Sequence, residues 1–506
     1  MAYFYLSKHA LIRDYLKNNR LLTGSLAILM LLSLGVLLFP EPSFSWVDSA
    51  SLWVRNKIGY FYLYLGMGAV IFVLLFAISP WGKIKLGDSG KKPEHSLWSW
   101  IAMLYSAGMG AGILLRAVQE PVFMARNPPI NTSVSPEIIG LEYTFYQWGF
   151  TAWAFYGIFA AVVGYSLFNK QKKVRISSVI EDKISSKWAR SGIDLMTILT
   201  TVFGLTAAIG LGATQISGGL EHLNLSVASL STSLGLTTLI CVMALISAWK
   251  GLNKGIKILS QINILLTLFV LLFVLVNSPI LSVLQDLFIA LYHYIIDFIP
   301  LSLAIGRYDP GLAFLTDWTF YYWAFWLAWA PFTGIFIARI SKGRTLRQLL
   351  LGVMIIPSVG TFIWFSAFGA TAFDMMETWT SYQGEFDNVF TSIFTFFQAL
   401  PLSDLMNGLT ILLLVGFLVT SVDSAVLVLS MFTDRGKLIP RKSHRLLWAA
   451  IILFSCMALL VLGNIRSDID VLVAAQKILI ITSLPFAAFM MVMVGIFCYS
   501  LARKQA

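Results

Sequence analysis

Charged residues are scarce in this chain. Only 12% of its 506 residues are Asp, Glu, Lys or Arg, whereas 58% are hydrophobic. A soluble protein of this length has no core large enough to bury so much apolar surface, and ordinary soluble domains carry about twice as much charge. The composition therefore excludes a soluble protein and indicates one that lies in a membrane.

Cysteine and the residues of common catalytic sites are also few. The three cysteines, Cys241, Cys456 and Cys498, all fall in apolar segments, so we interpret them as small buried hydrophobic residues rather than as a disulfide framework or metal ligands. The sequence contains no His/Cys metal set, no nucleophilic triad and no nucleotide-binding loop. We therefore expect no enzymatic activity and no organic cofactor.

Apolar segments of about 20 residues, the length that crosses a hydrocarbon layer of about 30 Å as a helix, recur along the whole chain. We predict twelve membrane-spanning helices, near residues 21–39, 58–79, 97–119, 140–168, 194–219, 227–248, 258–277, 312–338, 346–372, 405–432, 446–464 and 478–501. Residues 279–303 carry Asp286 and Asp297 near their ends, and we predict a helix along the outer surface there instead of a span.

The formal net charge of +11 follows the predicted topology. With the N-terminus inside, 29 of the 36 Lys and Arg residues fall in inner segments and five in outer loops. This asymmetry agrees with the positive-inside rule. We therefore expect both termini in the cytoplasm and attribute the excess charge to topology, not to a nucleic-acid partner.

One segment, residues 317–332, is unusually rich in tryptophan. Trp323, Trp326 and Trp329 recur at steps of three and therefore share one side of a helix. A second aromatic set lies in another apolar segment: Trp148, Trp153 and Tyr156. Such rings either pack helices together or enclose a cation that has no N–H to donate, such as a quaternary ammonium group.

The third predicted span is rich in glycine between Gly108 and Gly112 and then carries Arg116. The glycines allow either close helix packing or a discontinuous helix with free carbonyls. A guanidinium inside a span needs a partner. That partner is either Glu120, one helical turn away, or the carboxylate of a substrate.

Hydroxyl groups cluster in two further spans. The tenth contains Thr420, Ser421, Asp423 and Ser424, a set of oxygen ligands that suits a small cation or forms hydrogen bonds between helices. The fifth contains Thr200, Thr201, Thr206 and Thr214, and such hydroxyls commonly bond back to carbonyls of their own helix.

Together these motifs resemble the betaine/choline/carnitine transporter family over about residues 20–500. Four runs carry the resemblance: Asp317-Trp-Thr-Phe-Tyr-Tyr-Trp-Ala-Phe-Trp326, Ala107-Gly-Met-Gly-Ala-Gly112, Gln147-Trp-Gly-Phe-Thr-Ala-Trp153 and Thr420-Ser-Val-Asp-Ser424. The first departs from the family pattern at Phe325, where an indole is usual.

The resemblance implies an all-α membrane protein with LeuT-like inverted repeats of five helices, spans 3–7 and 8–12, preceded by two extra helices. The corresponding divisions are a tail at 1–20, two peripheral helices in 21–96, the first repeat in 97–303, the second in 304–501 and a short tail at 502–506.

The resemblance also implies the residues of two kinds of site. The implied substrate site consists of Trp148, Trp153, Tyr156 and Trp326, with Trp329, Phe325 and Phe123 nearby and Arg116 where the family usually has Trp or Tyr. The implied sodium site consists of Ser106, Met109, Phe417, Thr420 and Ser421. A second sodium site would use Thr201 and Phe332, but Leu205 occupies its other hydroxyl position.

From these features we expect a bacterial inner-membrane transporter that imports a quaternary-ammonium compound by sodium symport. The alternatives are a sodium-independent antiporter of the same family and a passive channel or sensor. The resemblance further implies a homotrimer, and the short tails make osmotic activation doubtful.

Overall fold

The computed structural model describes residues 19–88, 90, 92–108, 110–250, 253–379 and 381–505. Within these residues the protein is all-helical, and the pairing of Lys85 with Thr345 is an isolated bridge, not part of a sheet. The prediction of an all-α membrane protein is confirmed.

The helices are numbered in chain order. They are α1 (Arg20–Leu38), α2 (Pro40–Ile78), α3 (Leu97–Gly108), α4 (Gly112–Arg116), α5 (Gln119–Arg126), α6 (Pro136–Trp148), α7 (Phe150–Phe168), α8 (Ile176–Ile180), α9 (Lys187–His222), α10 (Leu230–Lys250), α11 (Asn253–Val276), α12 (Ile280–Ile296), α13 (Phe298–Leu303), α14 (Tyr321–Ile340), α15 (Leu346–Thr378), α16 (Ser392–Gln398), α17 (Ser403–Thr433), α18 (Lys442–Leu462) and α19 (Val471–Gln505).

Eleven helical segments in the described part of the chain are long and apolar enough to cross a membrane. They correspond to the predicted spans except the third, 97–119, which is divided among α3, α4 and α5. Helix length therefore does not establish the predicted count of twelve spans, because the glycine-rich stretch divides the segment predicted as the third span. The second span is also longer than predicted, since α2 begins at Pro40 and not near residue 58.

The break between α3 and α4 allows two indoles to approach the backbone. A Cβ atom added at Gly110 would lie 3.1 Å from Trp329 Cη2, and one added at Gly112 would lie 3.2 Å from Trp148 Cη2. Larger residues at these positions would displace the rings. The glycines thus set the distance between this segment and the aromatic side chains that face it.

The tryptophan-rich segment is not a uniform α-helix either. A helical turn at Leu312–Phe314 continues as a π-helix over Leu315–Phe320 before α14 begins. Such π-segments inside helices are frequent at functional sites. The first segment of each predicted repeat therefore departs from regular helix, while the inverted-repeat relation itself stays a prediction.

α14 lies at the centre of the molecule and packs against α7, α9 and α19. The most apolar windows of the segments Pro136–Phe168 and Leu312–Ile340 are 89% buried, whereas those of α1 and α11 are 22% buried. The aromatic segments therefore face protein, and the outermost helices expose apolar side chains as lipid-facing helices do.

The segment predicted to lie outside the spans forms two helices, α12 and α13. α12 packs against α6 and α15, and its other side exposes large apolar residues such as Leu281, Phe288 and Tyr292. With 17 residues it is shorter than the helices that could span a membrane.

Candidate functional site

The two aromatic sets meet around one small cavity. Its lining comes from four elements: Gly110 to Leu115, Trp148, residues of α9 including Gln215, and the α14 rings of Phe325, Trp326 and Trp329. Its volume is about 30 Å³, roughly that of one water molecule in the liquid. A trimethylammonium group can enter only if the rings move apart.

Trp148 and Trp326 form the closest pair at the cavity. Their ring centroids lie 5.0 Å apart and their planes meet at 71°, an edge-to-face arrangement. Both residues are buried, with 6% and 4% of their surface exposed. The indoles of two separate helices thus share a hollow inside the protein and do not face the lipid.

The N–H groups of the two α14 indoles that line the cavity are already bound to backbone carbonyls. Trp326 donates to the carbonyl of Gln147 at 3.0 Å, and Trp329 donates to that of Gly204 at 3.2 Å. The Gln147 carbonyl lies next to the break between α6 and α7 at Gly149, where a Cβ would lie 2.5 Å from the carbonyl oxygen of Phe145. The rings therefore contribute their π faces and edges to the cavity.

Two other predicted substrate residues lie next to this pair and do not line the cavity. The Tyr156 ring is 6.2 Å from that of Trp326, and the Trp153 ring is 5.5 Å from that of Tyr156, both edge-to-face. All three residues are buried. They form one continuous aromatic cluster with the cavity rings.

Phe123 lies farther out, at one end of an aromatic stack. Its ring is 4.8 Å from that of Trp318, which stacks on Tyr322, which in turn stacks on Trp326. The stack fills one side of the site with rings.

Arg116 does not line the cavity. Its Nη1 donates to Gln119 Oε1 at 2.6 Å, its Nε lies 3.8 Å from Glu120 Oε2, and its guanidinium lies 4.8 Å from the centroid of the Trp318 ring. Of the two partners that the sequence left open, the structure places Glu120 beside it.

The sequence named Glu120 only as a possible partner of Arg116 and gave no contact between it and the aromatic residues. Glu120 is fully buried and accepts hydrogen bonds from Trp148 Nε1 at 3.2 Å and from the hydroxyl of Tyr322. It therefore joins the cavity indole, the aromatic stack and Arg116. The signal in the sequence was its spacing of four residues from Arg116.

Gln215 is a residue that the sequence analysis did not single out. It lines the cavity, is fully buried, and neither its Nε2 nor its Oε1 has a hydrogen-bond partner among the described residues. A buried amide without partners is costly. This side chain is available for a polar group in the cavity.

A much larger cavity lies on the other side of Phe332. Its volume is about 1010 Å³, and its lining includes Phe332, Arg339, Asp423 and the loop residues Gly87 and His95. The Phe332 ring is 5.0 Å from that of Trp329, so two rings separate the cavities. The loops around the larger cavity belong to segments predicted to be cytoplasmic.

The predicted sodium ligands are only partly described. Met109 lies outside the described residues, and of Ser106 only its place in α3 is described. The Thr420 hydroxyl donates within its own helix to the carbonyls of Gly416 and Phe417, at 2.9 and 3.0 Å. Ser421 lies next to it on α17 and is partly buried.

At the predicted second sodium site, the Thr201 hydroxyl donates to the carbonyl of Thr197 at 2.8 Å. Leu205 is fully buried, and Phe332 packs on Trp329. A hydroxyl that donates to a carbonyl keeps lone pairs for a cation, so these bonds do not decide the ligand assignments, which stay predictions.

A family model described as "BCCT, betaine/carnitine/choline family transporter" matches residues 20–506 of this chain. The chain belongs to this family. As a member of the betaine/carnitine/choline transporter family it is a multi-pass membrane protein whose family function is transport.

Several members of the family are similar over most of their length. The glycine betaine transporter OpuD of Bacillus subtilis is 36% identical over 470 residues, which are 90% of this chain and 89% of that protein. The ectoine/hydroxyectoine transporter of Virgibacillus pantothenticus is 33% identical over 88% of this chain and 89% of its own. The high-affinity choline transport protein of Escherichia coli is 32% identical over 94% of this chain and 70% of its own.

Proposed function

We propose that this protein imports a small quaternary-ammonium zwitterion of the glycine betaine type across the bacterial inner membrane by sodium symport. The observation that carries the proposal is the cavity between Trp148 and Trp326, whose rings are buried and whose α14 indole N–H groups are already bound to backbone carbonyls. A methylated ammonium group has no N–H to donate, and a desolvated ring face attracts it by up to about 2 kcal/mol per contact.

Gln215 supports a substrate with a carboxylate. Gln215 lines the same cavity, and its amide N–H has no hydrogen-bond partner among the described residues. A hydrogen bond to a charged group contributes about 1.5–3 kcal/mol. The names of the relatives include carboxylate-bearing glycine betaine and ectoine as well as choline, which has a hydroxyl instead. Arg116 is less suited to this role because Gln119 and Glu120 already bind it.

The cavity volume indicates that substrate binding requires a rearrangement of the rings. We propose that Trp329 and Phe332 form the barrier on the side of the larger cavity, and that the stack from Phe123 to Trp326 forms the barrier on the opposite side. Movement of α14, which carries most of these rings, would open one barrier while the other stays closed. This is alternating access.

The proposal of sodium coupling rests on the hydroxyl groups of α17 and on the resemblance to the family. We propose that Thr420 and Ser421, with the carbonyl of Phe417 and the carbonyls of Ser106 and Met109, bind the coupling ion. The absence of a hydroxyl at Leu205 weakens the case for a second ion at Thr201 and Phe332. We propose the homotrimer on the resemblance alone.

Uptake of radiolabelled glycine betaine into proteoliposomes tests the proposal. We expect accumulation above the equilibrium concentration with an inward sodium gradient and none when sodium is replaced by potassium on both sides. Accumulation that needs internal substrate but no sodium would support the antiporter. Uptake that stops at equilibrium under every gradient would support a channel and contradict active transport.

A further inference from the structure

A second candidate site lies outside the aromatic cavity, where α6 meets the end of α12. Glu142 on α6, His293 on α12 and Asp297, the residue that follows α12, each bring one potential ligand atom to within 4.8 Å of the other two. Glu142 lies 151 positions before His293 in the chain. Only the fold therefore brings them together.

No partner for the charge of Glu142 is found among the described residues. The residue is 1% exposed, and neither carboxylate oxygen has a hydrogen-bond partner in the part of the chain that the structure describes. Nor does any Lys or Arg form an ion pair with it there, and the neighbouring Asp297 is another carboxylate. A buried carboxylate in such surroundings is costly unless a cation or a proton compensates it.

The other two residues are arranged as ligands. His293 and Asp297 are four residues apart at the C-terminal end of α12, and His293 Nδ1 lies 3.5 Å from Asp297 Oδ2. The hydroxyl of Tyr308 donates to the other oxygen, Asp297 Oδ1, at 2.6 Å. Hydrogen bonds of this kind orient the carboxylate ligands of metal sites.

We propose that Glu142, His293 and Asp297 bind a divalent transition-metal ion of the zinc class. One imidazole and two carboxylates match the ligand preference of zinc, whereas calcium and magnesium prefer oxygen ligands throughout. Zinc bonds of 2.0–2.2 Å place tetrahedral ligand atoms about 3.3 Å apart, so the three side chains need only a modest contraction.

An ion can reach this site from the surface. The side chains of His293 and Asp297 are 25% and 15% exposed, whereas Glu142 lies behind them. The bound ion would join α12 to α6, the helix that ends with Trp148 at the cavity. This proposal does not depend on the proposed transport function, because the metal would bind whatever the cavity carries.

The test is zinc binding to the full-length protein, purified with an affinity tag that contains no histidine. After treatment with EDTA, the protein is titrated with Zn²⁺ against a competing chelator, and the bound metal is counted by mass spectrometry. We expect one ion per chain. The variants Glu142→Gln, His293→Ala and Asp297→Asn should each lower zinc affinity at least tenfold, and Tyr308→Phe should lower it about 10–100-fold.

Asp286→Asn is the matched control, since Asp286 lies on the same helix outside the cluster and should leave zinc affinity unchanged. Cobalt(II) substitution gives a second readout on the wild-type protein, where visible absorption bands should report imidazole and carboxylate ligation. Absence of zinc from the wild-type protein would indicate that a proton, and not a metal ion, compensates the buried carboxylate of Glu142, and would overturn the proposal. Equal zinc binding by the triple variant would overturn it too, because the metal would then bind elsewhere.

Discussion

The buried ion pair of Arg116 and Glu120 allows us to predict how substitutions at the two residues change the stability of the protein. Arg116 is 4% exposed and Glu120 is fully buried. In Glu120→Gln the guanidinium loses its adjacent carboxylate and keeps the neutral oxygen of Gln119 and the ring of Trp318. Breaking a buried pair in this way costs about 3–5 kcal/mol of unfolding free energy, because one charge stays buried without its counter-charge.

The reverse substitution should cost less. In Arg116→Met the carboxylate of Glu120 keeps two neutral donors, Trp148 Nε1 and the Tyr322 hydroxyl. We expect a loss of about 1–3 kcal/mol, the scale of unsatisfied buried polar groups. The double variant removes both charges, so we expect its loss of unfolding free energy to be smaller than the sum of the two single losses.

Chemical unfolding in detergent, followed by tryptophan fluorescence, measures all four proteins of this double-mutant cycle. The coupling should be about 1–3 kcal/mol in favour of the native pair. Losses that simply add in the double variant would refute the reasoning. A stable Arg116→Met protein that loses affinity for glycine betaine but not for choline would show instead that Arg116 binds the substrate carboxylate.

Three further predictions concern the cavity and one exposed loop. Trp326→Ala should weaken glycine betaine binding by about 1–3 kcal/mol in a fluorescence titration. The control Trp188→Ala, at a residue that is 89% exposed, should leave the affinity unchanged. Equal affinities of the two variants would contradict a role of the Trp326 ring in substrate binding. Gln215→Leu should weaken glycine betaine binding by about 1.5–3 kcal/mol in competition assays and leave choline binding unchanged; equal losses for both ligands would indicate a packing role. Lys172 Nζ, 2.7 Å from Asp182, holds the pKa of that carboxyl below its usual value. The pair therefore stabilises the protein above the ordinary pKa of Asp and loses this contribution as pH falls through the lowered pKa. Because Asp182 is exposed, the pair should contribute less than about 1 kcal/mol to the free energy of unfolding. Unfolding measured at a series of pH values and salt concentrations should show this contribution in the wild-type protein and not in Asp182→Asn.

Much of the membrane architecture could be read from the sequence because it depends on local composition. A run of about 20 apolar residues must form a helix in lipid, since backbone groups there have no water to bind. The spacing of Trp323, Trp326 and Trp329 predicted that the three share one face. The rings of Trp326 and Trp329 line the cavity, whereas Trp323 packs against Tyr146 and Phe155. The π-helix before Tyr321 and the break at Gly149 were not predicted, because they depend on contacts with distant residues such as Tyr294.

The sequence by itself determined that this protein lies in a membrane, which family it resembles, and which rings were candidates for a cation. Only the tertiary structure decided that Glu120 binds Trp148, that Gln215 lines the cavity without a partner, and that Glu142 meets His293 and Asp297. The physical reason is the distance over which each interaction acts along the chain. Hydrophobic burial acts on every apolar segment and is visible in its composition, whereas a hydrogen bond or metal site needs atoms within a few ångströms, and helices far apart in the chain supply them only after they have packed.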